Sequence, residues 1–235
     1  ELVIDDLTLA GGIAGENAQR VNIAGSAQVD DRRLLLDLDG RLGARDRVAL
    51  LVDAEPDGDD FDLALDASAA AGGPIAPLAG LDAPLDMRVR GDGTWTQWDG
   101  ALLVRSEDER VAALQLTNRA GRFGLLGTVD PTVFLTGLPA EALGDKVALK
   151  GDIAIDNRVF DGTAIVAGRK VSLSAEGLVD LADNRADDLE MVVRVRDPAV
   201  LGDGIALRDT RLTATLDGSF DDLAIAHEAR VGELD

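Results

Sequence analysis

Apolar and polar residues alternate with a period of two along most of this chain. Val21, Ile23, Gly25, Ala27 and Val29 point one way, with Asn22, Ser26, Gln28 and Asp30 between them. Leu34, Leu36, Leu38, Gly40 and Leu42 repeat the pattern. So do Val48–Leu50–Val52, Phe61–Leu63–Leu65, Leu85–Met87–Val89, Val147–Leu149–Ile153–Ile155, Val171–Leu173–Ala175, Leu189–Met191–Val193–Val195 and Leu212–Ala214–Leu216. Successive side chains of a strand point to opposite faces, so each set predicts a half-buried antiparallel strand with one apolar and one wet face. About fifteen such strands fit at the spacing usual for all-β chains. No amphipathic helix of ordinary length is predicted.

The alternation stops in three places. At Asp130-Pro131 and Asp197-Pro198 the Asp suits a helix cap and the Pro a first helical position, so "PTVFLTGLPAEAL" and "PAVLGDG" predict short helices. "GGPIAPLAGL" from Gly72 is a looser example. A strand carrying an apolar-x-Gly step follows each interruption: Val89-Arg90-Gly91, Leu149-Lys150-Gly151 and Leu216-Asp217-Gly218. These recurrences divide the chain into irregular repeats, about 1–71, 72–129, 130–196 and 197–235, within one continuous β-rich segment 1–235. The chain opens on Glu1 rather than Met and is read as a piece of a longer polypeptide.

Composition narrows the function. Acidic residues number 44 against 23 basic, a formal charge of −21. That balance argues against nucleic-acid binding, which needs a basic face, and against resting on an anionic leaflet. Of the acids, 34 are Asp, a residue of turns and caps. Asp-Gly pairs begin at Asp39, Asp57, Asp92, Asp99, Asp161, Asp203 and Asp217, and each is read as a hairpin signal. The chain has no Cys, which excludes thiol chemistry and Cys-based zinc sites. Its longest uncharged run, Ala67 to Leu81, is too short and too interrupted by Pro74 and Pro77 to cross a membrane.

Candidate chemistry is sparse. The single His, His227, lacks the company that catalysis or metal binding requires. "GRFGLLG" spaces its glycines wrongly for a phosphate cradle and reads as a bent strand. Glu107-Asp108-Glu109 reads as a hairpin turn, and "EPDGDD" as a turn without the pattern of a calcium loop. Trp95 and Trp98 fall on opposite faces of a regular strand and are read as packing at a strand end. No enzyme is predicted, and no cofactor or metal.

The Leu/Val/Ile meander with apolar-x-Gly ends ("MRVRGDG", "ALKGDIAI", "ATLDGSFDDLAI"), the short interruptions "PLAGLDAPL" and "DPTVFLTGLPAEAL", and the Asp-rich, Cys-free composition together resemble the TamB family of AsmA-like Gram-negative envelope proteins. The resemblance implies an elongated, bent antiparallel sheet, a β-taco with an open aliphatic groove. It also implies an inner-membrane anchor outside this segment, a place in the periplasm, and a part in outer-membrane biogenesis. Its implied partners are phospholipid acyl chains and, through regions outside this segment, an Omp85-class outer-membrane barrel like TamA.

The residues lead to a similar expectation by another route. A sheet with one apolar face must bury it, and no long helices are available to cover this one. Aromatics are 3% of the chain, so the floor is aliphatic. The groove candidates are Leu34, Leu36, Leu38, Leu63, Leu85, Met87, Val89, Leu149, Leu173, Met191, Val193 and Leu216. Asp37, Arg88, Lys150, Ser172, Arg194 and Thr215 are expected on the opposite, wet face. Phospholipid conduction between the two membranes is the leading expectation. The alternatives are a scaffold for outer-membrane protein (autotransporter) assembly by strand addition and, in another class, a structural β-rich segment of a surface adhesin.

Overall fold

The structure, a computed structural model, describes residues 2–9, 19–30, 32–43, 45–55, 57–73, 75, 83–197 and 210–231. They form an all-β, antiparallel fold in which fifteen strands follow one another in sequence order. The chain divides into two compact units, Glu1–Ala120 and Gly121–Asp235. That boundary falls within the second of the four expected repeats, 72–129.

Unit 1 holds β1 Leu2–Leu9, β2 Gln19–Val29, β3 Leu34–Leu42, β4 Asp46–Glu55, β5 Asp60–Ala69, β6 Leu85–Gly93, β7 Gln97–Ser106 and β8 Glu109–Arg119. Each pairs antiparallel with its sequence neighbour. One fully enclosed carboxylate, Asp46, anchors the chain where it leaves β5: it accepts the Ala70 and Ile75 N–H groups, each at 2.8 Å. Those donors have no ladder partner, so a buried acceptor there satisfies them.

Unit 2 holds β9 Arg122–Val129, β10 Val147–Asp156, β11 Val159–Ala167, β12 Val171–Asp180, β13 Arg185–Val195, β14 Thr210–Ser219 and β15 Asp222–Arg230, again paired in order. Between β9 and β10 lie a 3-10 turn, Pro131–Val133, and a short helix α1, Leu138–Leu143. The expected cap is present: Asp130 accepts the Thr132 N–H at 2.9 Å, and Pro131 occupies the start of the turn. The interruptions expected after Asp197 and after Gly72 fall largely outside the described residues.

The hairpin reading of Asp-Gly needs correction. Among the described pairs, only Asp57-Gly58 lies in a turn. Asp39-Gly40, Asp92-Gly93, Asp99-Gly100, Asp161-Gly162 and Asp217-Gly218 lie inside β3, β6, β7, β11 and β14. The reason is the pleat. Asp occupies the wet face and the next residue falls on the apolar face, where a missing side chain leaves room for a close neighbour. The actual two-residue turns use other residues with positive φ, Glu107-Asp108 at 49° and 68° and Asn157-Arg158 at 47° and 70°. Both φ values positive is the signature of the hairpin turn whose twist matches its strands.

Candidate functional site

The candidate site is the apolar face of each unit, and the register builds it row by row. In unit 1 one row runs Gly25, Leu38, Leu50, Leu65, Val89, Leu102 and Leu114, every neighbouring pair being Cα partners. The next runs Ala27, Leu36, Val52, Leu63, Gly91, Gly100 and Leu116. Val48, Ala67, Met87, Val104 and Ala112 form a third. Leu34 pairs with Val29 and Ala54, and Leu85 with Ala69. Leu34, Leu36, Leu38, Leu63, Leu85, Met87 and Val89 therefore share one face of unit 1.

Unit 2 repeats the arrangement. Gly127, Leu149, Val166, Leu173, Val193, Leu212 and Ala229 form one row, and Leu125, Gly151, Ala164, Ala175, Met191, Ala214 and His227 the next. Leu216 pairs with Leu189 and Ile225 on the same face. Thus Leu149, Leu173, Met191, Val193 and Leu216 also share one face. His227 stands exposed at its outer strand.

Of the twelve candidates, only Leu85 is buried, at 9% exposure; the others are half-buried. A face filled from a second layer would enclose such side chains. Here the strands pack against their ladder neighbours, and among the described residues the fully enclosed side chain of any size is Asp46, not a leucine. The expected wet residues are on the other face: Asp37 opposite Leu51, Arg88 opposite Asp66, Lys150 opposite Ile165, Arg194 opposite Arg211, and Thr215 opposite Glu190. Ser172 is the exception. It lies on that face, opposite Arg194, but is buried at 8% exposure.

One end of the unit 1 face is aromatic, and the sequence pattern did not show it. Trp98 pairs with Gly93 and Asn118, and its indole lies over Gly91 and Gly100; a Cβ at either glycine would overlap the ring. Phe61 stacks on Trp95 with centroids 4.5 Å apart and meets Trp98 at 6.2 Å. Strict alternation would separate the two tryptophans, but Trp95 precedes β7, in the β6–β7 turn, and folds back onto the apolar side. Its backbone N–H donates to Asp59 Oδ1 at 3.2 Å, and Asn118 Nδ2 donates to its carbonyl at 2.7 Å. The signal that was available is the pair of glycines at Gly91 and Gly100, directly opposed on one face.

The wet face of unit 1 carries cross-strand ion pairs. Arg33 holds Asp53, its Nε donating at 2.7 Å, and Arg88 and Arg90 both hold Asp66, Arg88 Nε at 2.9 Å. Hydrogen bonds from these guanidiniums lower the affinity of Asp53 and Asp66 for protons below the ordinary aspartate range. No group of three His, Asp or Glu side chains among the described residues is placed to hold a metal ion. No helix among them is long and apolar enough to cross a membrane. The arrangement can offer a broad aliphatic surface. Comparisons with protein-family models, curated proteins and solved structures find no match to this chain.

Proposed function

We propose that this chain is a lipid-conducting segment of a periplasmic envelope protein similar to the TamB family, acting without catalysis. The observation that supports this reading is the register: in each unit it gathers the nominated aliphatic residues on one half-exposed face. Methyl and methylene groups without polar partners suit acyl chains, which need no directional contacts. Partnership with an Omp85-class barrel belongs to the same reading and rests on regions outside this segment.

Val193 tests it. Val193 lies between Leu173 and Leu212 in its row and is half-buried. A carboxylate at a closed, dry position costs several kcal/mol, whereas on an open face water reaches it and Val193→Asp costs only ~1–2 kcal/mol. The expected variant folds, as thermal melting will show, but fails to support envelope integrity. A photoreactive residue at 193 captures phospholipid in the otherwise unaltered protein. Capture of protein strands alone would replace conduction by the assembly-scaffold reading. Outright unfolding of the Asp variant would point to a closed structural module.

A further inference from the structure

Unit 2 presents a second surface, away from the ladder faces. The connection from β9 to β10 is held rigidly at one end of the sheet. Asp130 caps its first turn, accepting from Thr132 Oγ1 at 2.6 Å as well as from its N–H. At the far end of α1, the Arg169 and Lys170 N–H groups donate to the Leu143 and Ala142 carbonyls at 2.8 and 3.0 Å. The helix end is thereby tied to the β11–β12 turn, and so closely that a Cβ on Gly168 would sit 2.7 Å from Leu143 Cα. The end of β13 joins the same group through the Arg196 N–H, which donates to the Lys170 carbonyl at 2.7 Å.

Held in this way, Phe134, Leu135 and Leu138 are 42%, 36% and 61% exposed within five residues of chain. Phe134 and Leu135 follow the 3-10 turn, and Leu138 opens α1. Lys146, Arg169, Lys170 and Arg196 surround the base of the connection, and Lys146, Arg169 and Lys170 have no carboxylate partner among the described residues. Among the described residues the acids of these connections are Asp130, which is engaged as the cap, Glu141, Asp145 and Asp197. At the opposite end of unit 2 the turns differ. Leu181 and Phe220 are exposed there too, but Asp180 and Asp183 flank the first, and Asp221 and Asp222 follow the second. In a chain of charge −21, the charges named at this end balance, four acidic against four basic.

We propose that this end of unit 2 docks into the interface of a phospholipid bilayer, with Phe134, Leu135 and Leu138 entering the headgroup–acyl boundary. Lys146, Arg169 and Lys170 meet lipid phosphates around them. Exposed apolar anchors beside unpaired cations are what such an interface selects, the anchors supplying buried area and the cations attraction. The proposal is independent of conduction along the sheet face.

The test is sedimentation of the full chain with phosphatidylcholine vesicles containing a minority of phosphatidylglycerol. The expected result is binding that falls about tenfold or more when Phe134→Ser and Leu138→Ser are combined, since two apolar anchors are lost. Arg169→Glu with Lys170→Glu lowers binding to the mixed vesicles more than to phosphatidylcholine alone. Phe220→Ser, at the other end, leaves it unchanged. All these positions are exposed or half-buried, and circular dichroism checks that each variant stays folded. No binding by the unaltered chain, or equal binding by the Phe134/Leu138 variant, overturns the proposal. So does a fluorophore at position 135 that is already shielded from aqueous quencher without vesicles, because the surface is then covered by protein.

Discussion

On the wet face of unit 1 one row reads Asp39, Ala49, Asp66, Arg88 and Leu103. On the same face of unit 2 a row reads Leu126, Lys150, Ile165, Ser174 and Val192. The ion pairs differ in the same sense. In unit 1 Arg33–Asp53, Arg88–Asp66, Arg90–Asp66 and Arg119–Asp99 all reach from strand to strand. In unit 2 Arg122–Asp152 also crosses, from β9 to β10, but Arg185–Asp187 and Arg230–Glu228 join neighbours on one strand, and Arg211–Glu190 is long, at 3.9 Å. Unit 1 therefore carries more of its cross-strand ion pairs on one face, and the other face is the aliphatic one. Unit 2 exposes Leu126 and Ile165 on its nominally wet face, as unit 1 exposes Leu51, so what differs between the units is the number of cross-strand ion pairs.

The glycines on the apolar faces give the largest test of that contrast. In unit 2, a Cβ on Gly162 would overlap the Asp152 carbonyl and lie 2.7 Å from Ile153 Cα, both backbone, so the strands must part. In unit 1, a Cβ on Gly40 meets nothing closer than the Val48 carbonyl at 3.6 Å. Both follow an Asp in the same dipeptide. Gly162→Val is expected to cost about 3 kcal/mol or more in urea unfolding, at the upper end of overpacking effects. Gly40→Ala should be within about 1 kcal/mol of neutral, because it also restricts the unfolded chain. Equal effects would show that the two faces pack alike.

Next in size is the aromatic end of unit 1. Trp98 is half-buried, lies across two glycines and meets Phe61, so Trp98→Ala should cost about 2–3 kcal/mol, less than a fully enclosed Trp. The Trp98 Nε1 is buried with no partner, so its removal sacrifices no hydrogen bond. Phe123, on the apolar face of unit 2, is 43% exposed, and Phe123→Ala should cost about 1 kcal/mol. A larger loss at Phe123 than at Trp98 would mean that unit 2 has the better-enclosed face.

The strands and their facing were legible in the residues because period-two alternation has one geometric meaning. Leu36, Val52 and Leu63 had to share a face once their strands paired in sequence order. Turn chemistry was less legible. Asp161-Gly162 has the composition of a hairpin turn but serves as one wet and one close-packed strand position, a role fixed by the strand opposite and not by the dipeptide. Trp95 likewise escapes the alternation because it belongs to a turn. The Asp46 anchor has no local signature at all, since its donors, Ala70 and Ile75, lie a strand away. The same holds for the tie between α1 and the β11–β12 turn.

The smallest expected effect separates the units by pH. Asp66 accepts from Arg88 and Arg90, and Asp53 from Arg33, and these bonds hold both carboxyls below the ordinary aspartate value of about 3.9. A carboxyl whose proton affinity is lowered by folding stabilises the fold above its unfolded value. That contribution disappears as pH falls through the folded value, because the protonated acid no longer gains from its partners. Asp66 is exposed to solvent, so its pairs belong with surface ion pairs, and Asp66→Asn should lower stability at neutral pH by only ~0.2–1 kcal/mol. The difference between Asp66→Asn and the unaltered chain should shrink as the pH is taken down through and below the ordinary aspartate value, and should shrink also in high salt. Amide exchange across that range should then show β5 and β6 losing protection ahead of β13 and β14, whose ladder has only the long Arg211–Glu190 pair between its strands. Loss of protection in β13 and β14 first would mean that charge separates the faces of unit 1 without holding its strands together.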